Sequence, residues 1–166
     1  ASDVYKRQDK SLLDEMLSAA NLAPSWKNSQ TPRFYVATGE KSKNAVREAL
    51  PEFNRKNSEN ASAYIVTTVV LNRSGFDKDG TAVTEIGNGW GYYDLGLNNM
   101  ALLLKATELG ISTLVMGIRD GEKLRKEFDI PETEAVVSVI AVGYTDSEIV
   151  RPKRKSVEDF AKFYED

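Results

Sequence analysis

Apolar residues recur at Leu12, Leu13, Met16, Leu17 and Ala20, a three-and-four spacing that gathers them on one helical face. Asp14 and Glu15 fall in the first turn, where the helix dipole favours anions, and the pattern ends near Asn21. Residues 23–32, with two prolines among small polar side chains, predict a structured loop. Residues 33–37 read as a strand, and residues 41–50 as a helix with Ala45, Val46, Ala49 and Leu50 on one side.

The run YIVTTVVL over residues 64–71 is rich in β-branched residues and nearly continuous in its apolar character, as expected for a central strand covered on both faces. Residues 72–91 are polar and glycine-rich and predict a long loop, a length that is usually functional or mobile. Asp94 is the expected N-cap of a helix through Leu95, Leu97, Met100 and residues 102–104, with Gly110 ending it. That helix is apolar almost all round, so both its sides need cover. A strand over residues 111–116, a helix over 122–128, a strand over 135–142, an irregular basic tail over 144–155 and a closing helix over 157–164 complete the reading. Residues 1–8 show no period and are expected to be a leader, with residues 9–166 forming a single domain.

Composition narrows the chemistry. The 166 residues allow one core that buries roughly 70% of the extended surface. A net charge of −3 gives no general attraction to nucleic acid, and no apolar run has the length of a bilayer crossing. No membrane or nucleic-acid partner is expected. Cysteine is absent, which fits a reducing compartment and a cytoplasmic location. Histidine is absent too, which removes Ser-His-Asp and Cys-His catalysis and the usual zinc sites. An enzyme built from this chain must therefore use a cofactor, a carboxylate pair or lysine.

Three segments are candidate chemistry. Pro24, Ser25, Trp26, Asn28 and Gln30 set donors and acceptors close together, suited to the edge of a flat heteroaromatic ring or equally to a self-bonded turn. Val115 and Met116 run into Gly117, where bare backbone N–H groups can face a ligand or simply make a turn. Arg151, Lys153, Arg154 and Lys155 form either a phosphate grip or a solvated tail. Trp90, Tyr92 and Tyr93 suit an aromatic substrate pocket or a core, and the surrounding GNGWG lacks nucleotide-loop spacing.

Taken in order, APSWKNSQTPRFYV from Ala23, YDLGLNNMALLLKATELGIST from Tyr93, LVMG from Leu114 and the closing PKRKSVED resemble the nitroreductase family. The resemblance implies an α+β fold, a three-layer sandwich of helices around a mixed, largely antiparallel sheet, dimerising through long helices. It implies one FMN at each subunit boundary, with Pro24, Ser25, Trp26, Asn28 and Gln30 approaching the flavin. Val115, Met116 and Gly117 match the positions whose backbone reaches the flavin N5 and O4 edge. Arg154, helped by Lys153 or Lys155, matches a late basic residue near the phosphate or pyrimidine end. Trp90 and Tyr92 are then expected at the substrate pocket.

The implied function is hydride transfer from NADH or NADPH through flavin N5 to a nitroaromatic or quinone-like acceptor, with no side chain as nucleophile. The family's opening Arg-Arg-Ser-x-Arg element, which grips the FMN phosphate, would fall before residue 1. Without it the alternative expectation is a non-catalytic dimeric binding module that has lost flavin retention. Thr31-Pro32 stands where the family often has Pro-Trp, a change expected to alter packing.

Overall fold

A computed structural model that describes residues 10–166 contains four strands and six α-helices among those residues. The leader expected over residues 1–8 lies outside the described residues. The elements run α1 (Lys10–Asn21), β1 (Pro32–Ala37), α2 (Glu40–Glu48), α3 (Glu52–Asn57), β2 (Ala63–Val70), α4 (Gly89–Glu108), β3 (Ser112–Met116), α5 (Gly121–Glu127), β4 (Glu134–Gly143) and α6 (Val157–Phe160). The sheet order is β1-β2-β4-β3. Every pairing in it is antiparallel, which corrects the mixed sheet that the resemblance implied. Each of the three pairings among the four described strands runs antiparallel, and after β4 the chain is exposed and irregular and adds no further strand among the described residues.

The two central strands earn their apolar runs by burying both faces. Tyr64 and Val66 of β2 pack with Val46 of α2 and Leu124 of α5 on one side of the sheet. Ala63 and Ile65 alternate to the other side, against Leu13, Met16 and Ala20 of α1 and Leu102 and Ala106 of α4. Met16 and Leu102 are fully buried, and each such side chain contributes about 1.5–3 kcal/mol. A register shift between Thr67 and Thr68 is bridged by the Thr67 and Ser138 hydroxyls at 2.7 Å.

Three expectations are corrected. The helix predicted to start at Asp94 starts at Gly89, so part of the expected 72–91 loop is helical and Asp94 sits inside the helix. The glycines that lower helix propensity there also let the helix approach the sheet: a Cβ on Gly91 would meet Val69 Cγ2 at 3.0 Å. α3 was not expected, because its EFNRKN sequence carries no buried stripe and Phe53 faces solvent. The closing helix expected over residues 157–164 is only the four residues of α6, since Phe160, Phe163 and Tyr164 find no core to pack on. Among the described residues no helix is long and apolar enough to cross a membrane.

Candidate functional site

Between α1 and β1 the chain makes a strained turn. Lys27, Asn28 and Gln30 all take positive φ, at 45°, 53° and 50°, a region that costs non-glycine residues free energy and needs outside support. The support comes from Asp94, 68 residues away and 2% exposed. Its carboxylate accepts the Trp26 backbone N–H at 3.1 and 3.2 Å and the Ser74 hydroxyl at 2.6 Å. Ser74 Oγ in turn lies 2.6 Å from Ser29 Oγ and 3.1 Å from Thr31 Oγ1. One buried charge therefore anchors the turn at its start and, through Ser74, at its end.

Further bonds close the turn on itself. The Gln30 N–H donates to Ser25 Oγ at 3.0 Å, and Arg33 Nη1 donates to the Gln30 carbonyl at 2.6 Å. Lys27 reaches Asp77 at 3.8 Å, an exposed pair that ties the turn only weakly to the 72–88 segment. Trp26 packs on Trp90 with ring centroids 4.9 Å apart, and Trp90 meets Tyr93 edge-on at 5.7 Å. Trp90 Nε1 donates to Thr84 Oγ1 at 2.7 Å, whereas the buried Trp26 Nε1 has no partner.

Beside this turn lies a cavity of about 530 Å³, within the size range of small-molecule sites. Leu17 and Asn21 of α1, Ala23, Ser25, Ser29 and Gln30 of the turn, residues 32–34 of β1 and Asn98 of α4 line it. Asn98 donates its amide to the Ala20 carbonyl at 2.7 Å, fixing the end of α1 at the cavity wall. The lining mixes apolar surface with a few directed polar groups and one guanidinium, the character of a site for a flat polar ring.

A family model, the Nitroreductase family, matches residues 6–144 of this sequence. The chain belongs to the Nitroreductase family. It is thereby an oxidoreductase by family. Among solved structures, this nitroreductase-family chain resembles the enone reductase CLA-ER of gut-bacterial fatty acid saturation, with a TM-score of 0.81 at 20% identity over 95% of this chain and 88% of that one. A Nitroreductase Family Protein from Streptococcus pneumoniae TIGR4 gives 0.80 at 21% identity, covering 98% and 92%. A structure described as an oxidoreductase containing FMN gives 0.74 at 25% identity, covering 86% of this chain and 70% of that one. No curated protein matches the chain.

Of the residues singled out from the sequence, the fold brings Ser25, Trp26, Gln30 and Trp90 together at the turn. Pro24 and Asn28 are exposed on the same turn, and Tyr92 is exposed on α4. Val115, Met116 and Gly117 lie on β3 and its end, with Met116 buried and Gly117 open to solvent, and none of them lines this cavity. Lys153 and Arg154 sit in the exposed tail, where Arg154 Nη1 donates to the Pro152 carbonyl at 3.1 Å. They too are absent from the cavity wall.

Sequence reasoning missed Ser29, Arg33, Ser74 and Asn98 and misread Asp94. One signal was available: Asp94 and Asn98 are four apart on the stripe that also carries Gly91, Leu95, Leu102 and Ala106. A carboxylate and an amide on a buried stripe must have partners, and those partners mark the site.

Proposed function

We propose that this nitroreductase-family chain is an FMN-dependent oxidoreductase. It works as a cytoplasmic homodimer, takes reducing equivalents from NADH or NADPH and passes them to a small nitroaromatic or quinone-like acceptor. The observation that carries this reading is the turn of residues 25–30, held in a strained shape by a buried carboxylate against a cavity of flavin scale. A chain without histidine or cysteine that builds such a turn has its redox chemistry to borrow.

The residues present fit a flavin. Ser25 and Gln30 on the cavity wall offer both donors and acceptors to a ring edge, and Arg33 adds a positive charge beside them. Bound FMN would supply hydride acceptance and delivery at N5. The chain's own part is orientation: Ser25 and Gln30 hold a polar ring edge, and Leu17 and Phe34 supply apolar contact. Met116, Gly117, Lys153 and Arg154 lie off this cavity, so in the homodimer of this reading they would face the flavin from the other side of the subunit boundary, the backbone of Met116 and Gly117 towards the ring and the two cations towards the phosphate. Trp90 and Tyr92 provide aromatic surface for the acceptor.

Dimerisation is supported by apolar side chains that a lone chain leaves in water. Tyr93, Met100 and Leu104 project from α4, and Phe160, Phe163 and Tyr164 from the tail. The test is the flavin content and oligomeric state of the purified protein. Stoichiometric yellow dimer that bleaches on NADH or NADPH is the expected result. Protein that stays colourless after FMN addition overturns the reading, and if it is still a dimer it favours the non-catalytic dimeric module.

A further inference from the structure

We infer that Asp94 turns Ser29 into an acceptor-only group at the cavity wall, so that the cavity recognises an amide or imide edge through Ser29 and Ser25 together. The argument is one of proton counting. A serine hydroxyl has one hydrogen and two lone pairs. Ser74 gives its hydrogen to the Asp94 carboxylate at 2.6 Å, because an ionised carboxylate only accepts. Its oxygen must then accept from its other two neighbours, the Ser29 hydroxyl at 2.6 Å and the Thr31 hydroxyl at 3.1 Å.

Ser29 has thereby spent its hydrogen inside the protein. Towards the cavity it offers lone pairs alone. Ser25 is set the opposite way: its oxygen already accepts the Gln30 N–H at 3.0 Å, and its own hydrogen remains to be donated. Both serines line the same cavity. A donor and an obligate acceptor on one wall complement a carbonyl flanked by an N–H. Ligand groups with acceptors alone are disfavoured, because they set lone pairs against the lone pairs of Ser29.

Two ligands of the proposed reaction carry that edge, the pyrimidine imide of the flavin and the carboxamide of the nicotinamide. The ligand's identity rests on the flavin reading; the polarity of the wall does not. Purified full-length protein is titrated with four probes while the Gln30 backbone amide is followed by NMR. FMN is paired with N3-methyl-FMN, which lacks the imide N–H, and nicotinamide with 3-acetylpyridine, which keeps the carbonyl and lacks the amide N–H.

At least one pair is expected to be discriminated about tenfold in favour of the N–H ligand. Ser29→Ala brings that ratio near one, and Ser29→Thr, which keeps the hydroxyl, restores it. Ser74→Ala leaves Ser29 in place and frees its hydroxyl to turn, so the ratio falls there as well, whereas a merely steric rejection of the methyl group survives it. Discrimination within the flavin pair assigns the imide, and within the nicotinamide pair the carboxamide. FMN binding with neither pair discriminated overturns this inference and leaves the flavin reading standing. Absence of FMN binding with the nicotinamide pair discriminated overturns the flavin reading and keeps the inference. Failure of all four probes to shift Gln30, or a ratio that survives Ser29→Ala or Ser74→Ala, also overturns it.

Discussion

The Asp94 carboxylate accepts the backbone N–H of Trp26 at 3.1 Å, joining the second turn of α4 to the strained turn before β1. Three non-glycine residues of that turn stay left-handed because this bond and the Ser74 relay over-determine them. The site is thus preorganised by a charge that lies outside it.

Removing that charge exposes its worth. Asp94→Ala leaves the Trp26 N–H and the Ser74 hydroxyl without their acceptor, a loss of about 1–3 kcal/mol. Urea denaturation should show the lower stability, and hydrogen exchange should quicken at the Trp26 amide in particular. Exchange as slow as in the parent protein would contradict the anchoring role.

Tyr35 gives a pH signature. Burial, and then its hydrogen bond to Glu134 Oε2 at 2.8 Å, pushes the phenol from 10.0 up to about 12. Between those values the folded protein keeps a proton that the unfolded chain has lost, so stability falls as pH rises across the window. Tyr35→Phe should remove this part of the alkaline slope while costing about 1 kcal/mol at neutral pH, since Thr68 still donates to Glu134. Denaturation midpoints of the two proteins across that pH range provide the check.

Gly75 sets the seat of Trp90. It holds φ at +85°, and an added Cβ would meet the Gly87 carbonyl at 2.6 Å and Trp90 Cδ1 at 2.7 Å. Gly75→Ala should therefore destabilise by about 1–3 kcal/mol and shift tryptophan fluorescence as Trp90 moves off Trp26. An unchanged spectrum would show that the aromatic pair does not depend on this glycine.

Arg154 separates binding from folding. It is exposed and bonded within its own tail, so Arg154→Ala should leave stability without cofactor within about 0.5 kcal/mol. On the flavin reading, FMN retention falls roughly tenfold or more, the worth of one charge-assisted bond. Flavin content and melting temperature measured on the same preparation distinguish the two effects, and full retention would remove Arg154 from the site.

The sequence by itself determined the elements whose pattern repeats the burial they meet. YIVTTVV had to be a covered strand because its residues are mostly β-branched and apolar on both faces, and its hydroxyls find partners inside the protein; α1 shows its buried face in Leu13, Met16 and Ala20. It also marked Ser25, Trp26 and Gln30 as a polar turn between helix and strand. Tertiary structure decided where α4 begins, because Gly89, Trp90 and Gly91 are poor helix formers that become helical once Trp90 packs on Trp26 and Gly91 meets Val69. It alone decided what Asp94 does. Local rules read an aspartate before an apolar run as a cap for its own helix, whereas the partners that satisfy it, Trp26 and Ser74, lie 68 and 20 residues away and are brought to it only when α4 packs beside the turn. Hydrogen bonds between distant residues leave no period along the chain, so the strands could be read from the sequence and the relay that shapes the site could not.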